Sequence, residues 1–181
     1  MLIAKQKREE NIAEYLLYMW QIEDIIRANR LDMDSIEKNI ISKFDQPESV
    51  KSELRDWYSD LIEMMRSENV IDKGHLQINN NVIINLTDLH KRLLSDPKQN
   101  EYIASYYKTL PFIVELRAKG AEKDKSEIET CFDALYGFLL LKIQRKEISG
   151  ETQSAIAQIS SFLRVLSEKY KLDKQGLLET E

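Results

Sequence analysis

Apolar residues recur along the chain at intervals of three and four, the spacing of one helix face. Ile12, Leu16, Met19, Glu23 and Ile26 form the first stripe, widened by Tyr15 and Ile22 and interrupted only by Glu23. The spacing predicts a helix over about 9–30. Asp34 followed by Glu37 resembles a capping box that opens a short helix carrying Ile36, Ile40, Ile41 and Phe44. Pro47 and Glu48 suit the first turn of a third helix. Its seam is Val50, Leu54, Trp57, Leu61 and Met64, a coiled-coil-like alternation that ends near Asn69.

Residues 76–86 fit two patterns. Asn-rich turns between β-branched residues suit a small hairpin, whereas Asn81 can cap a helix whose face is Val82, Leu86, Leu89 and Leu93. The helix is favoured, because its spacing continues to Leu93 and a hairpin stops at Ile84. Asp96-Pro97 opens a fifth helix with Tyr102, Ile103, Tyr106, Leu110, Ile113 and Leu116, and Pro111 within it predicts a kink or a split. After Gly120, Ser126 and Glu129 cap a sixth helix of about 126–146. Ile128, Phe132, Leu135, Leu139 and Ile143 make its stripe, with Cys131, Phe138 and Leu140 on other sides. A helix apolar nearly all round is expected at the centre of a bundle. Beyond Ser149-Gly150, a last helix holds Ile156, Ile159, Leu163, Leu166 and Tyr170, followed by a polar tail over 171–181.

Composition agrees with this segmentation. The 181 residues include five glycines and three prolines, too few for collagen, a low-complexity linker or a turn-rich sandwich. Pro47, Gly74, Pro97, Gly120, Gly150 and Gly176 fall between or after the stripes. Pro111 and Gly137 fall inside two of them, where Pro costs about 3 kcal/mol and Gly about 1 relative to Ala. A kink and a close helix crossing account for the pair, which also marks where a site would first be sought. The expectation is a single all-α domain over 1–181, a bundle of six or seven helices with the sixth at its centre.

Charge and missing motifs narrow the function. The net charge is −5 and no third of the chain is strongly basic, so the footprint of a nucleic-acid binder is missing. A helix-turn-helix around Gly74, with 82–94 as reading helix, offers Asn85, His90, Lys91 and Arg92 among mostly apolar side chains, so DNA binding is not expected. The N-terminal residues turn to charges before any secretory apolar run, and no segment is long enough to span a bilayer, which predicts a cytoplasmic protein. The lone Cys131 forms no internal disulfide and sits on an apolar stripe, where cysteine behaves as a small hydrophobe.

Neither His75 nor His90 has Glu three positions before it, and no Cys-x-x-Cys, nucleophile elbow or phosphate loop occurs. No metal, cofactor or catalytic residue is expected, and the chain reads as a non-enzyme. His90 reads as a surface group beside Lys91 and Arg92. Glu23 falls on an apolar stripe, and an i,i+4 ion pair with Arg27 accounts for it.

The aromatics carry the remaining signal, concentrated in three helices. Tyr and Trp suit positions with an apolar body and a polar rim, although completing the core explains most of them. Tyr18 and Trp20 lie off the first stripe and suit a partner surface. Tyr102, Tyr106 and Tyr107 lie near Pro111, where a kink would open a cleft.

The opening segment, Met1 to Asp24, resembles an uncharacterised family of small proteins from Bacteroides-group bacteria, a domain of unknown function. The resemblance implies a bacterial cytoplasmic protein and carries no activity. The expected function is a non-enzymatic interaction module, binding a protein partner or itself through an aromatic-edged helix face. The alternative is a small-molecule-binding or catalytic bundle with its cleft at the Pro111 kink.

Overall fold

The computed structural model describes residues 2–119 and 124–179. Among these the chain is helical throughout, with eight α-helices and two short 3-10 turns and no strand. Seven stripes become eight helices because the first predicted helix breaks at Asn11, giving α1 (Leu2–Glu10) and α2 (Ile12–Ala28). The Asn11 side chain accepts a hydrogen bond from the Ala13 amide at 3.0 Å, the contact of an N-cap, so a new helix starts there. Packing divides the chain into two units: Met1–Glu9 with Glu14–Asn81, and Glu10–Ala13 with Val82–Glu181.

In the first unit, α2 buries Tyr15, Leu16, Met19, Ile22, Glu23 and Ile26 of the predicted stripe, its one acid included, and also Trp20, which was expected off it. Arg8 of α1 lies over the Tyr15 ring, 5.5 Å from its centroid, and Lys7 pairs with Glu14. Helix α3 (Met33–Asn39) is capped by Asp32 rather than Asp34, since the Asp32 carboxylate accepts from the Ser35 amide at 2.8 Å. Ile40 lies past the helix end, Ile41 is buried in a 3-10 turn, and Phe44 is exposed. Helix α4 (Glu48–Ser67) follows Pro47 and buries Leu54, Tyr58, Leu61, Ile62 and Met65. The face is rotated from the expected seam, so that Trp57 and Met64 only flank it. A straight helix keeps 3.6 residues per turn and drifts off a 3.5-residue seam.

Helix α5 (Gln77–Ser95) settles residues 76–86 as a helix start, four residues ahead of the Asn81 cap. Its first turn belongs to the first unit. The earlier start follows from carboxylates elsewhere in the chain, Glu23 and Glu68, which accept from the Leu76 and Gln77 amides at 3.0 and 2.6 Å. Within the second unit α5 buries Val82, Ile83, Leu86, Leu89, His90 and Leu93.

Helices α6 (Asn100–Lys119), α7 (Glu127–Ile143) and α8 (Gly150–Lys174) complete the second unit and pack on one another. Pro111 does not split α6. Both Pro111 and Tyr107 are exposed, so the ladder position that Pro111 leaves without a donor lies on the solvent side of α6, where a proline is tolerated. Ser126 caps α7 as expected, accepting from the Glu129 amide at 3.1 Å. The central position expected for this helix is not found. Its buried residues are Ile128, Cys131 and Phe132, all in its first half, and burial at the middle of the unit is shared with α6 and α8. Helix α8 continues to Lys174, so the polar stretch from 171 begins as helix. Gly120 and the last two residues of that tail lie outside the described residues.

Candidate functional site

Each unit contains a buried polar cluster built around a histidine. In the first, Glu23 is fully buried on α2. One carboxylate oxygen accepts from the Leu76 amide at 3.0 Å and from Asn79 Nδ2 at 2.6 Å, and the other accepts from His75 Nδ1 at 2.6 Å. Trp20 stacks on the His75 ring, with centroids 4.1 Å apart and planes 11° from parallel. The expected Glu23–Arg27 pair does not form. Arg27 bonds Asp24 at 2.9 Å and the carbonyls of Val70 and Gly74, so it holds the loop ahead of α5. Gly74, at φ +87°, supplies the left-handed turn in that loop. Trp20 is buried, which removes it from any partner surface. Tyr18 is half-buried, and burial raises its pKa.

In the second unit the cluster is His90, Tyr102, Tyr106 and Glu127. His90, expected at the surface, is buried. It lies four residues after Leu86 and three before Leu93, on the apolar stripe itself, and that position outweighs its charged sequence neighbours. His90 Nδ1 is 2.6 Å from the Tyr102 hydroxyl, and Nε2 is 3.5 Å from Glu127. The Tyr106 hydroxyl donates to the same Glu127 oxygen at 2.9 Å. Taking Nε2 as the protonated nitrogen gives each group a role: Tyr102 donates to Nδ1, and Nε2–H points to the carboxylate. The rings of Tyr102, Tyr106 and Phe162 surround the imidazole at centroid distances of 4.9–5.9 Å.

Electrostatics follow from this burial. Desolvation lowers the His90 pKa, and the nearby Glu127 opposes it only in part. Desolvation also raises Tyr106 to about 12, with help from Glu127, and raises Tyr102 further. The buried Cys131 thiol is pushed up as well, so it stays protonated and unreactive. The cluster is thus neutral at its centre, with its one acid at the rim, where the Glu127 side chain is 28% exposed.

The candidate aromatics therefore separate. Tyr102 and Tyr106 come together around His90, whereas Tyr107 is exposed, its ring 5.3 Å from that of Tyr106. His75, His90 and Glu127 escaped sequence reasoning; for His90 the stripe was a signal, while Glu127 looks like any first-turn acid. The cavity beside Pro111 has a volume of about 130 Å³ between α6 and α8, floored by Phe112, Leu116, Ile156 and Ile159. None of the three tyrosines lines it, and pockets for small molecules run to about 300 Å³ or more. Gly137 is exposed, and a Cβ built there meets nothing within 4 Å, so no close helix crossing within the chain requires it. Among the described residues, no group of three or more His, Cys, Asp or Glu could hold a metal ion, and no helix is long and apolar enough to cross a membrane.

A family model described as Domain of unknown function (DUF4924) matches residues 1–177. No curated protein and no solved structure matches the chain.

Proposed function

Because the chain belongs to the DUF4924 family, a domain of unknown function, kinship supplies no activity, and we propose from the molecule itself that it is a non-enzymatic interaction module that self-associates through the second half of α7. The supporting observation is the run Leu135 to Ile143. It holds Leu135, Tyr136, Phe138, Leu139, Leu140, Leu141 and Ile143, and not one of them is buried. Ile143 is 62% exposed. The others are half-buried, and monomeric soluble proteins seldom present so continuous a run of partly exposed apolar residues. Phe138, with Lys142 Nζ 4.6 Å from its ring centroid, gives the face its aromatic edge. Gly137 adds a flat spot at which a second backbone can approach closely. The setting that suits such a module is the cytoplasm of a Bacteroides-group bacterium.

Sedimentation equilibrium tests the reading with the wild type and the double variant Phe138→Asp, Ile143→Asp. The wild type is expected to dimerise at micromolar concentration, and the variant to stay folded and dissociate at least about tenfold more readily. A wild type that remains monomeric at about 100 µM overturns it.

A further inference from the structure

The second-unit cluster is built so that its state depends on one proton. His90 is reached from four helices. Its own α5 contributes Lys91 and Asp88, paired with each other at 3.6 Å on the exposed side. Helix α6 contributes the Tyr102 and Tyr106 hydroxyls, α7 contributes Glu127, and α8 contributes the Phe162 ring, while the Cys131 thiol of α7 acts on Tyr102. With Nδ1 unprotonated, it accepts the hydroxyl proton of the fully buried Tyr102. A proton on Nδ1 would set donor against donor across 2.6 Å. Tyr102 would have to turn into an acceptor, and its own proton would lose its partner inside the core.

We propose that His90 is the pin of an acid-sensitive latch: neutral, it holds the Tyr102 hydroxyl and ties α5 to α6 beneath the first turns of α7, and protonated, it lets go of Tyr102 for Glu127 and unseats those turns. The cation is drawn toward the Glu127 carboxylate, the partly exposed acid of the cluster. Acid therefore draws the ring from between Tyr102 and Phe162 and opens the seat of Ile128, Cys131 and Phe132. The lowered pKa of His90 is consistent with this direction. A histidine depressed in the folded state takes up its proton more readily once released, so the closed form loses stability as pH falls below about 6.5 and through the folded value. The latch does not depend on self-association.

The test uses the His75→Gln variant of the full chain, which leaves His90 as its one histidine. Its ring Cε1–H signal is followed by NMR while amide exchange is measured at Cys131 and Phe132. The ring is expected to titrate below about 6.5. Protection of those two amides, corrected for intrinsic exchange, should fall at least about tenfold over the same interval, while α8 amides stay protected. In His90→Gln with native helicity, protection should not follow pH. A ring that titrates with no loss of protection, or one that stays neutral until the whole chain unfolds, overturns the latch.

Discussion

Glu23 shows how a single side chain can be noticed in a sequence and still be given the wrong partner. Its place on an apolar stripe marks it as unusual, yet the pair within its own helix is not the one formed. The partners lie 52 to 56 positions away, beyond the reach of any periodicity. Three donors converge on this buried carboxylate, so Glu23→Ala leaves them without an acceptor and removes the cap of α5. Urea unfolding should show a loss of about 2–4 kcal/mol, whereas Arg30→Ala on the exposed side should change stability by less than about 0.5. A loss below about 1 kcal/mol for Glu23→Ala would mean that the donors find other acceptors. His90 was misjudged for the opposite reason. Its charged sequence neighbours suggested solvent, while its register within the stripe placed it inside.

At the level of elements, the stripes were legible because helix burial repeats every 3.6 residues whatever the partner. Val82, Leu86, Leu89 and Leu93, read as one face, are all buried. Where capping chemistry lay in adjacent residues, as at Ser126 with Glu129, the start was legible too, while Ser149, read only as a break, caps α8. Where the cap came from another element, as at α5, the start was misplaced. The second half of α7 misled for a related reason: apolar composition says that a surface is to be covered, and leaves open whether the cover is the same chain. Exposed Pro111 and half-buried Ser126 give opposite tests of element stability. Pro111→Ala restores a donor within α6 and should stabilise the chain by about 1–3 kcal/mol. Ser126→Ala removes the α7 cap and should cost about 1 kcal/mol. Gly137→Ala meets no neighbour, so it should raise stability by about 0.5–1 kcal/mol in dilute solution while weakening self-association if Gly137 lies at the contact.

For the whole molecule, concentration and acidity are the two controls. A chain that self-associates only when folded gains stability by mass action, so its melting temperature should rise by about 2 °C per tenfold increase in concentration. Scanning calorimetry checks this, and a temperature independent of concentration would favour a monomer. The net charge of −5 and a pI near 5.3 mean that repulsion between copies fades toward the acid range. The latch is therefore best followed in dilute protein, where its opening is not confused with precipitation. The lone thiol offers a way to do so. Cys131 is shut beneath the first turns of α7, and any modifying reagent must wait for the protein to let it in. Its rate of labelling is then a stopwatch for that event, readable by mass spectrometry as a single added mass, with no second cysteine to divide the signal.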